Sequence, residues 1–543
     1  MHISLGDKGT MADLATKIGS AGTLVEVIRL RGAEDGDAGA FTFGDETMSF
    51  AELDTGSNRA AQALLAEGVS KGARVAYLGK NHHLYFEAFM GAAKVGAVMT
   101  PVNWRLAPPE VAYILDNCEA EVVFIGEGFE DMLAKVRGDC PRVKTVIGID
   151  VSGDGIADYR SWRDAQDATD PAIAIGEDDA FLQLYTSGTT GRPKGAVMTH
   201  RGILSSRLSG DGGDETLREW QEPIENDVSL LAMPCFHISG TGNGPANMVS
   251  GTNSIVLTEY DPTQALDLIE KYPISKLFLV PAAIQILLNH PRAAEVDFST
   301  LRYITYGASP IPLELMKEAM ERLGCGFVQM YGMTETSGTI TALDPGDHVP
   351  EGSERMRSVG TALQGVELKV IDEDGNSLAP GTIGEIATRS AKNMAGYWRM
   401  DEATAETIDA DGWLRTGDAG YLDEDGYLFI RDRVKDMIIS GGENIYPAEV
   451  ENALYAHPQV ADVAVIGVPD QKWGEAVKAC VVLKDGADLG EADIFTHARE
   501  HIAGYKCPKS VDFIGELPRN PSGKILRREL RAPYWEGKDK AVN

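Results

Sequence analysis

The sequence predicts an α/β protein: a large N-terminal domain of layered sheets and helices with a β-rich subdomain, then a small α+β C-terminal domain. Three observations carry that reading. Over the first two-thirds of the chain, short apolar runs alternate with amphipathic stretches, the strand–helix alternation that builds largely parallel sheets. From about Leu363 the texture changes, with Gly, Asp and Thr frequent and the apolar runs short. After Lys435 a compact helix–strand–strand–helix–strand pattern follows. The predicted units are 20–434, with the β-rich part at about 363–434, and 435–543. A length of 543 residues suits three or four folding units at roughly 100–200 residues each.

In chain order, Ser49 reads as the N-cap of a helix from about Phe50 to Leu65, and Arg74–Leu78 as a strand. Helices follow at Tyr85–Lys94 and Pro109–Asn117, with a strand at Glu121–Ile125. Further strand-like runs are Thr145–Ile149, Ala180–Tyr185, Ser229–Met233, Ser254–Leu257, Lys276–Val280 and Arg302–Tyr306. Helical patterns at Thr263–Lys271 and Pro312–Arg322 lie among them. The β-rich stretch contributes Glu367–Ile371, Gly384–Thr388 and Tyr427–Ile430. In the last domain, helices are expected at Ala448–Ala456 and Glu491–His501, and strands at Val460–Val468, Lys478–Leu483 and Val511–Ile514.

Lys plus Arg number 50 against 82 Asp plus Glu, a formal net charge of −32. Such a chain repels nucleic acid and anionic membrane surfaces, so any polyanionic ligand must be drawn in by local positive charge. Six scattered cysteines, without C-x-x-C or metal-ligand spacing, read as reduced thiols. The N-terminal segment has no apolar core of signal-peptide length, and no stretch approaches the roughly 20 apolar residues of a membrane span. A cytoplasmic location is expected.

The segment Tyr185-Thr-Ser-Gly-Thr-Thr-Gly-Arg-Pro-Lys-Gly195 packs two Ser/Thr clusters among glycines just after a strand. Glycines let backbone N–H groups converge on an anion. The hydroxyls of Thr186, Ser187, Thr189 and Thr190, beside Gly188, add donors, and Lys194 adds a point charge. It departs from G-x-x-x-x-G-K-[ST], because the glycines are too close and Gly195 follows the lysine. Further motifs recur in order: MPCFHISG (233–240), YGASPI (306–311), QMYGMTET (329–336), GEI (384–386), DGWLRTGD (411–418), RDRVKDMIISGGENIYP (431–447), WGEAVKA (473–479) and PRNPSGKILRREL (518–530). Alone, YGMTET is equally a polar turn after a strand, and Asp418 a turn acid.

Together these segments resemble the acyl-adenylate-forming superfamily, and the chain looks most similar in texture to bacterial fatty-acid–CoA ligases. The resemblance covers nearly everything after the first 20–30 residues. It implies an AMP-forming acid–thiol ligase that uses ATP, Mg²⁺ and coenzyme A: a carboxylic acid becomes an acyl-adenylate, then a thioester. By the same resemblance, Tyr331 stacks on adenine beside Met330 and Gly332, and Thr334 meets the α-phosphate. Glu335 helps hold Mg²⁺, and Gly307, Ala308 and Ser309 run along the nucleotide and the acyl pocket. Asp418 accepts from the ribose hydroxyls with Arg433 assisting near Ile430, and His237 stands at the mouth of the acyl pocket.

Lys524 is the implied catalytic cation of adenylation. A cation bridging carboxylate and α-phosphate offsets the repulsion between two anions. Between Lys506 and Arg531 there are seven basic residues and three acidic ones, against the acidic whole. Lys435 matches the hinge about which relatives swing a mobile C-terminal domain. The second placement presents Gly441, Gly442 and Glu443 to the pantetheine arm, with Trp473 near the CoA surface. Homodimers are common in this family.

The 240–254 segment carries no fixed charge, so an uncharged acyl tail is expected: a medium-to-long fatty acid, or an arylalkenoic acid of feruloyl or coumaroyl type. An amino acid substrate is disfavoured, since Phe236-His237-Ile238 lacks the aspartate that pairs an ammonium. Two rivals stand beside the CoA ligase. One is an acyl-AMP ligase that loads a carrier protein, although such enzymes carry an insertion at the domain junction that is missing here. The other is a catalytically dead nucleotide-binding scaffold.

Overall fold

The computed structural model describes residues 7–186, 193–205, 218–222, 224, 226–433, 436–440, 443–470, 472–520 and 525–536. Two large sheets dominate. In the first, strands Asn253–Val256, Val228–Leu231, Lys276–Leu279, Tyr303–Gly307 and Gly326–Met333 pair in parallel in that order. Beyond Gly326–Met333 the edge turns antiparallel through Gly338–Leu343. In the second, Ala180–Thr186, Val98–Val102, Arg74–Leu78, Val122–Gly126 and Thr145–Ile149 are parallel neighbours. Lys194–Thr199 then joins Ala180–Thr186 antiparallel, with Gly396–Tyr397 outside it.

Successive side chains of a strand point to opposite faces, so a central strand must serve two cores. Leu231 and Val256 enter the core between the two sheets, while their neighbours Leu230 and Ile255 enter the core under the outer helices. Likewise Val75 and Tyr77 face inward, and Ala76 and Leu78 face the other layer. Helix His83–Lys94 is buried at every residue and packs in the same core as strand residues of both sheets. Its one ammonium, Lys94, is fully buried and satisfied by the Asp54 carboxylate at 2.6 Å, the Asp54 carbonyl at 2.9 Å and Asn58 at 2.6 Å. Without those partners, that charge could not be carried in an apolar layer.

Strands Val366–Ile371, Gly384–Ser390, Leu414–Leu422 and Leu428–Arg433 form an antiparallel sheet. Further along, the long pair Val460–Asp470 and Gly474–Leu483 carries helices Pro447–Tyr455 and Glu491–His501 on one face, and Arg527–Trp535 on the other. The α/β reading with a large N-terminal and a smaller C-terminal domain therefore holds. All six cysteines are free thiols, five of them buried. No described helix is long and apolar enough to cross a membrane.

Most of the expected elements fall within two residues of their expected ends, while others, such as strand Gly326–Met333 and helix Pro281–Asn289, have no counterpart among them. Helix Phe50–Ala66 begins at Ser49, whose hydroxyl accepts from Glu52 N–H while Glu52 returns a bond to Ser49 N–H, a reciprocal cap. Strand Val98–Val102 lies outside the expected elements, and its Pro101 is unusual in an interior strand. The sheet tolerates it because the second neighbour of this strand pairs only at Met99↔Leu182. The Thr23-capped helix Leu24–Glu34 was also missed. It is tied to the core by Leu24 N–H donating to His200 Nδ1 at 3.3 Å.

His200 is fully buried and stacks on Phe181, and burial pulls its imidazole down to about 4. Its folded value lies below the unfolded one, so the neutral ring's stabilisation is complete above about 6.5 and is lost as pH falls toward 4. Within that window this one group adds a slope of about 1.4 kcal/mol per pH unit. Thermal melts of His200→Gln between pH 7 and 4.5 should fall less steeply with acid than those of the wild type. Parallel curves would remove His200 from the acid response.

Candidate active site

Strands Ala180–Thr186 and Lys194–Thr199 are paired up to Thr186↔Lys194, which brings the two ends of the Gly/Ser/Thr segment together. Ser187, Gly188, Thr189 and Thr190, expected between them, lie outside the described residues. Both ends face the turn that follows strand Gly326–Met333. There Thr334–Thr336 makes a single 3₁₀ turn. Thr336 Oγ1 accepts from Met333 N–H at 3.0 Å and donates to the Gly338 carbonyl at 2.6 Å. Ser337 then takes a left-handed φ of 49° and the chain returns as Gly338–Leu343.

This turn buries Glu335 to 6% exposure beside Thr334 at 8%. Glu335 Oε1 accepts from Thr186 Oγ1 at 3.2 Å and from the Tyr397 hydroxyl at 2.9 Å. The Glu335 carbonyl accepts from Met394 N–H at 2.8 Å. Lys194 Nζ lies 4.9 Å from the centre of the Tyr397 ring, within cation–π range. Three segments distant in sequence thus meet at one carboxylate, and its two recorded side-chain partners are neutral hydroxyls. Hard oxygen donors gathered at a buried carboxylate suit a divalent cation such as Mg²⁺.

A second group forms four residues before Glu335. The Tyr331 hydroxyl donates to Asp418 Oδ2 at 2.7 Å, and Asp418 is 6% exposed. Asp418 sits opposite Arg433 in the antiparallel pair of Leu414–Leu422 with Leu428–Arg433, although the Arg433 side chain is outside the described residues. Ile430 pairs with Gly420, and Ile430, Tyr331 and Leu368 all pack against the small core of Val359, Ile386 and Leu428, which sets the tyrosine against the β-rich sheet. Met330 lies in register with Gly307 on the neighbouring strand. A Cβ at Gly307 would collide with the Met330 carbonyl, so only glycine lets these strand ends close. Ala308 follows at φ 66°, a left-handed backbone that a non-glycine residue adopts at a cost, and Ser309 continues the loop. A Cβ at Gly332 would similarly meet the Gly338 carbonyl.

His237 caps the short helix Ile238–Thr241: its Nδ1 accepts from Ser239 N–H at 3.3 Å and lies 2.8 Å from Ser239 Oγ. The Gly338 Cβ direction points to Ile238 Cγ1 at 3.7 Å, placing this helix against the hairpin that carries Glu335. Trp473 is not gathered into this group. It is 42% exposed, its backbone N–H donates to Asp470 and Lys472 lies over its ring, both close by in the chain. Lys435, Gly441, Gly442, the Glu443 side chain and Lys524 lie outside the described residues. Tyr397 is the residue that sequence reading missed. A single tyrosine in Ala395-Gly-Tyr-Trp398 carries no pattern of its own, and only the antiparallel contact Tyr397↔Ala196 brings it to Glu335.

The AMP-binding enzyme family model matches residues 28–398, and the model of the AMP-binding enzyme C-terminal domain matches 449–524. This chain belongs to the AMP-binding enzyme family. It is 41% identical to fatty acid–[acyl-carrier-protein] ligase ScoC of Streptomyces coeruleorubidus, over 96% of this chain and 98% of that one. To a feruloyl-CoA synthase of Amycolatopsis sp. it is 39% identical, over 92% and 96% of the two chains. To the long-chain-fatty-acid–CoA ligase FadD13 of Mycobacterium tuberculosis it is 37% identical, over 90% and 94%. The crystal structure of ATP-bound MatB from Rhodopseudomonas palustris superposes with a TM-score of 0.85 at 31% identity, covering 94% of this chain and 99% of that one. As a family member, the chain is an AMP-forming acid–thiol ligase that binds ATP.

Removing the Tyr397 hydroxyl takes one donor from a buried carboxylate, a loss of about 1.5–3 kcal/mol. Tyr397→Phe should therefore lower the melting temperature by about a few degrees and lower kcat/KM for acid-dependent pyrophosphate release by about tenfold or more. Wild-type kinetics would show that the hydroxyl does not support the site.

Proposed function

We propose that this enzyme is an acyl-CoA synthetase acting on an uncharged carboxylic acid, with a medium- or long-chain fatty acid favoured. The observation that carries the reading is the convergence of Thr186, Lys194, Tyr397 and Glu335 beside the Tyr331–Asp418 pair. One cluster offers hydroxyls, an ammonium and a carboxylate for a polyphosphate. The other offers an aromatic face and an acceptor for a nucleoside. In this assignment Asp418 takes the ribose hydroxyls, Tyr331 lies against adenine backed by Ile430, and Thr334 meets the α-phosphate. Glu335 and Thr186 would hold Mg²⁺, which supplies positive charge to the phosphates.

The chemistry runs in two displacements. A substrate carboxylate oxygen attacks the α-phosphorus of ATP and pyrophosphate leaves, forming the acyl-adenylate. The CoA sulfur, as thiolate, then attacks the acyl carbon, and AMP leaves with the oxygen that joined it to the acyl group. Lys524 is assigned to the first displacement, where it bridges two anions whose repulsion otherwise dominates the barrier. Lys435 is the assigned hinge for a C-terminal domain that must shield a reactive anhydride and then admit a thiol. Gly441, Gly442 and Glu443 belong to that second placement, and a cytoplasmic location suits the supply of ATP and CoA.

Around the acyl end, the 240–254 segment is small and uncharged: a Cβ at Gly244 would strike the Phe86 ring, and Thr241 is bonded to Tyr85 at 2.6 Å. This supports an apolar tail and gives no partner for a second carboxylate or an ammonium. A second reading, loading of a carrier protein, is favoured by the 41% identity to ScoC. A panel of acids from acetate to palmitate, with ferulate and coumarate, decides between them. CoA-dependent AMP release should peak on the medium or long fatty acids. A peak on the cinnamates overturns the acid assignment, and pyrophosphate release that yields thioester only on a carrier protein overturns the acceptor.

Lys524→Ala should lose adenylation by about 10²-fold or more, the scale of one key electrostatic stabiliser. Thioester formation from preformed acyl-adenylate should survive. Equal loss of both half-reactions would overturn the assignment.

A further inference from the structure

The last turn of helix Glu491–His501 carries His497, Glu500 and His501 on one face, at positions i, i+3 and i+4. One ligand atom from each lies within 4.8 Å of the others. The two imidazole centres are 4.2 Å apart. None of these residues belongs to the nucleotide site, and neither carboxylate nor imidazole there is used by the reaction above.

We propose that His497, Glu500 and His501 form a surface site for a divalent transition ion of the Zn²⁺, Co²⁺ or Ni²⁺ class.

Ring tautomers argue for it beyond mere proximity. His497 Nε2 is 2.9 Å from the Ala453 carbonyl, and His501 Nδ1 is 2.7 Å from the His497 carbonyl. A carbonyl only accepts, so each of those nitrogens carries the proton. In the neutral imidazole the opposite nitrogen of each ring then holds the lone pair, which is the form a metal needs. Holding an imidazole by its far N–H on a backbone carbonyl is also how metal sites orient their histidines. The first of these anchors comes from helix Pro447–Tyr455, so His497 is set by a second element and not by its own helix alone.

His457 packs edge-on to His497 at 4.9 Å, and its Nδ1 accepts from Gln459 N–H at 3.2 Å, so it walls the site and does not ligate. The two imidazoles are borderline donors, and with one carboxylate beside them they favour Zn²⁺ and its neighbours over Mg²⁺ or Ca²⁺. A common ion would draw these three atoms to about 2.0–2.2 Å from itself. Glu500 and His501 are exposed, which leaves the remaining positions to water. The ion also sits at the negative end of the helix dipole, where positive charge is favoured.

The test is titration of metal-stripped, nucleotide-free full-length protein with Zn²⁺ by calorimetry, and with Co²⁺ by its visible absorption. One ion per chain is expected, with binding undiminished by excess Mg²⁺. His501→Ala and Glu500→Gln, both at exposed positions, should each weaken binding by about tenfold or more, with pyrophosphate release unchanged. His457→Ala should bind as the wild type does. Absence of saturable Zn²⁺ binding overturns the proposal. So does equal affinity in His501→Ala and wild type, which would place the ion elsewhere.

Discussion

A carboxylate that folding removes from water must be given partners, and in this enzyme that demand is met at Glu335 by three parts of the chain. Thr186 comes from the end of one strand, Tyr397 from a two-residue edge strand of the same sheet, and Glu335 itself from the edge of the other large sheet. The backbone adds its own link, Met394 N–H to the Glu335 carbonyl. The two sheets are therefore joined at the point where the nucleotide chemistry is assigned. Misplacing any one segment would leave a buried charge short of donors, which costs more than the bond itself is worth.

The rest of the N-terminal domain holds that junction still. Because Leu230/Leu231 and Ile255/Val256 split between opposite cores, the central strands cannot shift by one residue without exchanging their faces. Helix His83–Lys94, buried on all sides, fills the space between the sheets; its ammonium is answered by Asp54 and Asn58, and its carboxylate, Glu87, by Arg163. At the strand ends, Gly307 and Gly332 allow carbonyl contacts that any side chain would prevent. A rigid frame with close backbone approach is what positions Tyr331 against Asp418 across two different sheets.

The C-terminal domain is built on different terms. Its long antiparallel pair is covered by two helices on one face and one on the other, giving it cores of its own. Contacts with the large domain include Gln285 Nε2 donating to the Tyr455 hydroxyl at 2.8 Å, a polar bond that can be made and broken cheaply. A separately cored unit with polar docking contacts is suited to changing its placement.

Much of this was legible in the sequence, for identifiable reasons. Alternating apolar runs determined the α/β class, Ser49 as an N-cap marked a helix start, and the ordered motifs pointed to the family and to Thr186, Lys194, Tyr331, Glu335 and Asp418. Such signals are local, because spacing, capping and Gly-rich composition act over a few residues. What the sequence left open needed partners far away along the chain. The central strand Val98–Val102 keeps Pro101 because its second neighbour pairs at one position only. Tyr397 became a site residue only through an edge strand that touches Val197 and Ala196. The tautomers of His497 and His501 were decided by carbonyls that only the folded chain brings to them. Local pattern determines which elements form and which chemistry is present, while the pairing of distant segments decides which groups share a charge.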